Sequence, residues 1–177
     1  MKKYIIAYTP CQNHDIFLGL INGQISCSEG YCIGENSIPH ITLSQFYAEP
    51  EAITDIWNSV TRETNHHVIE VNFNEYSYLT FDGRVYWLSL LPSQTEELFE
   101  MHNTVSQYVD SIRKDIYDPH LTLFNFLEQS FLTKRETLES GVNIREKFVL
   151  SLGECDSFGQ LTKIISSCDS GIDLRPR

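Results

Sequence analysis

Two histidine–threonine pairs carry the chemistry that this sequence allows. His40 and Thr42 stand in the phrase Ile38-Pro39-His40-Ile41-Thr42-Leu43-Ser44-Gln45-Phe46. His120 and Thr122 stand in Asp118-Pro119-His120-Leu121-Thr122-Leu123-Phe124-Asn125-Phe126, 80 residues further on. Histidine suits proton transfer in either direction, because its unperturbed pKa of about 6.5 lies near working pH. Two histidines in one site can divide the roles of acid and base. A threonine hydroxyl aimed into the same space can donate to an anionic oxygen and stabilise charge that develops there.

The elements that must position these groups are legible around them. Proline disfavours a preceding helix, and Thr, Ile and Phe suit a pleated surface, so each phrase reads as a strand. Alternation puts His40 and Thr42 on one face with Ile41 and Leu43 on the other, and likewise His120 and Thr122 against Leu121 and Leu123. The repeat extends upstream. Tyr4-Ile5-Ile6-Ala7-Tyr8-Thr9-Pro10 precedes the first phrase and Tyr86-Trp87-Leu88-Ser89-Leu90-Leu91-Pro92 the second. Each half therefore reads strand, Pro, helix, His-x-Thr strand, helix, further strand. Two copies are too few for a solenoid, so one domain of two similar lobes is expected over residues 1–166, with a polar tail over 167–177.

Local signals fill in the rest. A helix is expected over 13–22, stopped by Asn22-Gly23, and a Gly-rich surface loop over 23–37. Pro50 opens a helix with Ile53, Ile56, Trp57 and Val60 on one face. Strands are expected at about 67–74 and 78–91 with a turn between them, and Asp82-Gly83 is a second turn or bulge signal. Ser93-Gln94-Thr95-Glu96 reads as a capping box opening a long helix with Leu98, Val105, Val109 and Ile112 in a stripe. Thr133-Lys134-Arg135-Glu136 reads as another box, opening a short helix. Residues 147–154 and 159–166 read as a closing hairpin.

Taken together, the paired P-H-x-T-L phrases and the strand-Pro-helix before each resemble the 2H phosphoesterase superfamily. The resemblance runs from Tyr4 to about Ile165. It implies an α+β fold, bilobal, with two antiparallel sheets facing a central groove and a pseudo-two-fold internal repeat. It implies a metal-independent phosphodiesterase in which His40 and His120 match the catalytic histidines and Thr42 and Thr122 the phosphate-binding hydroxyls. No metal and no cofactor is implied. The expected substrate is a small nucleotide-type ester, a 2′,3′-cyclic phosphate or a short 2′-5′-linked oligonucleotide. Two other functions compete: a non-catalytic nucleotide-binding module on the same fold, and RNA ligase activity. Intact His and Thr at all four positions favours the enzyme over the binder.

Composition sets further bounds. The 177 residues are 41% hydrophobic, enough for one good core. A formal net charge of −11 repels long polyanions, so long nucleic acid is a poor partner and ligation of large RNA ranks last. No run of 18 apolar residues is present, so no membrane span is expected. Cys11, Cys27, Cys32, Cys155 and Cys168 read as free thiols, which together with the lack of a secretory leader favours the cytoplasm. A monomer is expected.

Other residues have two readings. Lys3 and Arg84 are the basic candidates near the groove and also read as solvated charges. Tyr8 and Trp87 lie on strands entering the groove and are placed to stack a base, with core packing as the competing reading for Trp87. His102 falls on its helix's apolar stripe and reads as a packed histidine. His14, His66 and His67 lack the spacing partner of a metal ligand.

Overall fold

The structure, a computed structural model, describes all residues except 13, 22–30, 35, 81–82, 128–140 and 169–177. The described residues form strands β1 (Lys2–Pro10), β2 (Ile41–Ala48), β3 (Val68–Thr80), β4 (Val85–Pro92), β5 (Leu121–Leu127), β6 (Ile144–Cys155) and β7 (Leu161–Ser167). The helices are α1 (His14–Gly19), α2 (Ile53–Arg62) and α3 (Glu96–Val105). The class is α+β, as expected. The strands expected in two sheets are joined into one antiparallel sheet, ordered β1-β2-β5-β4-β3-β6-β7, which closes on itself because β1 also pairs with β6.

The duplication is visible in that circuit. Strand β1 answers β4, β2 answers β5 and β6 answers β3, so one pseudo-two-fold passes between β2 and β5. It leaves the sheet again between β3 and β6. The first seam is a single pair, Ile41 opposite Leu121, whereas the second runs from Val68–Val149 to Phe73–Ile144.

Each half also carries a β-bulge at the same place. Ile6 pairs with Ser44 and Ala7 with Thr42, which leaves Leu43 without a partner in the ladder. Leu88 pairs with Phe124 and Ser89 with Thr122, which leaves Leu123. The extra residue follows the His-x-Thr triplet in both strands. A bulge bends its strand and re-aims neighbouring side chains, which suits a site built beside it.

The two pre-motif segments dock crosswise. The segment before β2 lies against β5, with Ile33 N–H donating to the Leu123 carbonyl (3.0 Å) and Asn125 N–H to the Tyr31 carbonyl (3.1 Å). The segment before β5 lies against β2, with Ile112 N–H donating to the Gln45 carbonyl (2.7 Å).

The core is aromatic where the halves share it. Phe17 from α1, Phe73 from β3 and Phe148 from β6 are fully buried and meet edge to face at centroid distances of 5.9–6.0 Å. Helix α2 buries Ile53 and Val60 and half-buries Ile56 and Trp57, as its spacing predicts.

Several local expectations need correcting. Strand β3 runs through the turn expected between 74 and 78. It absorbs the polar Asn74-Glu75 as a register shift where its pairing passes from β6 to β4, and the real reversal comes at Gly83, whose φ is +71°. The Ser93–Glu96 capping box does not form. Ser93 instead donates from N–H and hydroxyl to the Asn72 carbonyl, and Glu96 accepts from Thr95 N–H. Helix α3 stops at Val105 and not near Ile112; the chain turns there, and Ile112 N–H bonds the Gln45 carbonyl of β2 in place of a helical partner. Cys11, Cys155 and Cys168 are in no disulfide, but Cys32 is disulfide-bonded, which corrects the expectation of five free thiols. The Asn22-Gly23 stop, the 133–136 box and most of the C-terminal tail lie outside the described residues. Among the described residues no helix is long and apolar enough to cross a membrane.

The aromatic triangle gives a direct test. Phe17→Ala should destabilise the fold by about 3–5 kcal/mol, read as a lower denaturation midpoint with unchanged slope. A loss under about 1 kcal/mol would mean that α1 does not lock the two halves together.

Candidate functional site

The four sequence-predicted residues come together at the seam. An antiparallel register through Ile41–Leu121 places His40 across from Thr122, and Thr42 across from His120. All four project from the face opposite Ile41 and Leu121, which are fully buried. All four line one cleft of about 200 Å³. The pair on the axis thus generates a square of two imidazoles and two hydroxyls.

Both rings are held in the same way. His40 Nδ1 lies 2.7 Å from the Ile38 carbonyl, and His120 Nδ1 lies 2.7 Å from the Asp118 carbonyl. A carbonyl only accepts, so Nδ1 is the protonated nitrogen in each neutral ring. That leaves Nε2 with the lone pair and the freedom to exchange a proton. The acceptor in each case is the residue before proline. Pro39 and Pro119 lack an N–H and hold that residue extended, which turns its carbonyl back to the ring.

The two rings differ in surroundings. His40 is 4% exposed, and burial depresses its pKa to about 4, with a smaller push from His120 in the same direction. His120 is also depressed, chiefly by burial and also by the Arg113 guanidinium. The Asp118 carboxylate, 4.0 Å from Nδ1, opposes this. Both rings are therefore pushed toward the neutral form, His120 against the pull of the carboxylate beside it.

The threonines differ as well. Ser89 Oγ donates to Thr122 Oγ1 at 3.3 Å, which leaves the Thr122 proton free to point at a ligand. The repeat mate of Ser89 is Ala7, so Thr42 lacks this support.

Around the square, the structure separates the weaker candidates. Lys3 and Trp87 line the cleft. Lys3 Nζ donates to the carbonyls of Asp156 (3.0 Å) and Ser157 (3.2 Å), so its charge also fastens the β6–β7 turn to the wall. Trp87 packs edge to face on Tyr31 at 5.7 Å, against the core, and also borders the cleft. Tyr8 does not reach the site; it is buried in the core and donates to the His66 carbonyl (2.6 Å). Arg84 is exposed before β4, away from the cleft lining.

Sequence reasoning missed Arg113, Gln45 and the turn Ser157-Phe158-Gly159, which all line the cleft. Arg113 lies just past the apolar stripe of Leu98, Val105, Val109 and Ile112, in the loop leading to β5, where no local pattern marks it. Gly159 has φ +85°, a conformation that favours glycine, and its turn closes on the Gln45 side chain of the wall. Among the described residues no group of three His, Cys, Asp or Glu side chains could hold a metal ion.

No family model matches the chain, and no curated protein matches it. Solved structures do share its fold. E. coli LigT in apo form aligns with a TM-score of 0.62 at 14% identity, over 94% of this chain and 96% of that one. E. coli LigT complexed with 3′-AMP gives 0.61 at 12% identity, over 95% of each chain. The MHV ns2 PDE domain gives 0.54 at 16% identity, over 86% of this chain and 99% of that one. The chain thus has a LigT-like α+β fold. These neighbours fit the 2H phosphoesterase superfamily that the sequence resembles.

Burial of His40 has a consequence for stability. The unfolded ring binds a proton near its ordinary pKa of about 6.5, and the folded ring binds one only near 4. Between those values the unfolded state holds more protons, so stability rises with pH and is lost as pH falls through the window. His40→Gln should flatten the denaturation midpoint between pH 6.5 and 4. An unchanged slope would place the titration elsewhere.

Proposed function

We propose that the chain is a metal-independent phosphodiesterase that hydrolyses a small nucleotide-type ester by two-histidine acid–base catalysis. The observation that carries this reading is the pairing of two anchored imidazoles with two hydroxyls across the Ile41–Leu121 pair, in one cleft. Thr42 and Thr122 would hold the non-bridging oxygens, where hydroxyl donors stabilise the charge of a five-coordinate phosphorus. The neutral His40 would take a proton from the attacking water as its oxygen bonds to phosphorus. His120 in its charged form, which Asp118 favours and burial opposes, would give a proton to the ester oxygen as its bond to phosphorus breaks. Trp87 and the exposed Phe158 and Leu79 border the same cleft and suit a nucleobase face.

Size and charge support a small substrate. A cleft of about 200 Å³ fits a nucleotide-sized group, and the net charge of −11 disfavours long polyanions. A nucleotide complex of a protein with the same fold, LigT with 3′-AMP, supports the same class. The ester of choice is a 2′,3′-cyclic phosphate or a 2′-5′ linkage, and a product assay with both, in EDTA, decides between them. Turnover that EDTA abolishes and zinc or manganese restores would overturn the mechanism. Nucleotide binding with no turnover of any diester would make the chain a binding module.

Substitutions test the square. His40→Ala or His120→Ala should remove most turnover, and the double variant should cost little more, since the pair acts as one unit. Thr42→Val and Thr122→Val should each lower kcat by about ten- to a thousandfold, by analogy with loss of one oxyanion donor. Full activity in stably folded Val variants would leave the hydroxyls without a role.

The pH profile tests the assignment of acid and base. The kcat/KM of the free enzyme should rise with pH through about 4 as His40 loses its proton. It should fall again below the ordinary histidine value of about 6.5, because the pKa of His120 is depressed. The two limbs belong to the coupled pair. A plateau extending above pH 8 would exclude a protonated histidine as the acid.

A further inference from the structure

We propose that His102 is a positioning residue that sets the Thr42–His120 side of the square; the inference rests on the phosphodiesterase reading above. His102 leaves α3 and spans to both motifs. Its Nδ1 lies 2.8 Å from the Leu43 carbonyl, to which it donates. Leu43 is the residue that the bulge leaves out of the ladder, directly after Thr42. The opposite face of the connection is Tyr117, three residues before His120. The two rings are parallel within 1°, with centroids 4.1 Å apart. Phe99, one turn earlier on α3, closes on the same tyrosine edge to face at 5.3 Å.

The other half shows what His102 replaces. There the bulge carbonyl belongs to Leu123, and it accepts from the Ile33 backbone N–H at 3.0 Å. Backbone fastens the second bulge, and a side chain fastens the first. Space explains the difference. A second cavity of about 180 Å³ opens between β2 and the 111–118 loop, bordered by His102, Tyr117, Thr42 and His120. His102 bridges that gap. A buried carbonyl left without a donor is costly, so this bond favours the bulged shape of β2. The stack transmits the same constraint to the loop whose Asp118 carbonyl anchors His120.

A double-mutant cycle tests the inference. His102→Phe keeps an aromatic ring against Tyr117 and deletes the donor, whereas His102→Asn keeps an N–H near the place of Nδ1. The expected result is a kcat about tenfold or more lower in His102→Phe, with KM changed by less than about threefold and partial recovery in His102→Asn. In the His102→Phe background, Thr42→Val should lose most of its effect while Thr122→Val keeps all of it. Tyr117→Leu should reproduce the pattern from the other side of the stack and serves if His102→Phe folds poorly. Additive effects with both threonines, or a lower melting temperature with full turnover per folded molecule, would overturn the inference. Wild-type protein with no diester turnover would refute the enzyme reading instead. The same cycle scored on 3′-AMP affinity by calorimetry would then still decide whether His102 positions Thr42.

Discussion

Among the described residues, Ile41 opposite Leu121 is the sole backbone pair joining β2 to β5, and the geometry of the site follows from it. An antiparallel pair on a two-fold axis gives its neighbours complementary partners without further instruction. His40 meets Thr122 and His120 meets Thr42 because each triplet is polar on the face that the two apolar residues do not occupy. The single pair also limits the contact. Beyond it, the segments before each motif take over the strand edges, and the motifs splay into a cleft.

Symmetry of backbone is combined with asymmetry of environment. Both histidines use the same carbonyl anchor, and both prolines are buried. Yet His40 is enclosed and His120 has Asp118 and Arg113 as charged neighbours. A duplicated scaffold supplies two imidazoles on equal anchors, and residues outside the triplets give them unequal surroundings. Ser89 against Ala7 does the same for the threonines.

Much of this was legible in the sequence because it depends on local patterns. Pro-His-x-Thr marks a strand start, and its alternation fixes the polar face without knowledge of the fold. The helix after Pro50 and the closing hairpin follow from periodicity and turn residues in the same way. What was not legible depends on distant partners. The bulges at Leu43 and Leu123 leave no compositional mark, since each is one more apolar residue in a strand. Helix α3 ends at Val105 while Ile112 bonds Gln45 of β2, a distant partner that an apolar stripe conceals. Tyr8 lies on a strand that enters the groove, but it shares the core face of β1 with Tyr4 and Ile6 and takes the His66 carbonyl as its partner.

The crosswise docking of the two pre-motif segments has a consequence for how such a chain arises and folds. Each half lends a segment to the other, so a half alone would leave the edge of its own His-x-Thr strand without partners. Two copies of a half-length ancestor could have satisfied those edges only by exchanging segments about a true two-fold, as a swapped dimer. Fusion into one chain keeps the exchange and makes it intramolecular. The interlock also forces folding to wait for contacts about 90 residues apart, such as Ile33 with Leu123, which places this topology among slow, non-local folders.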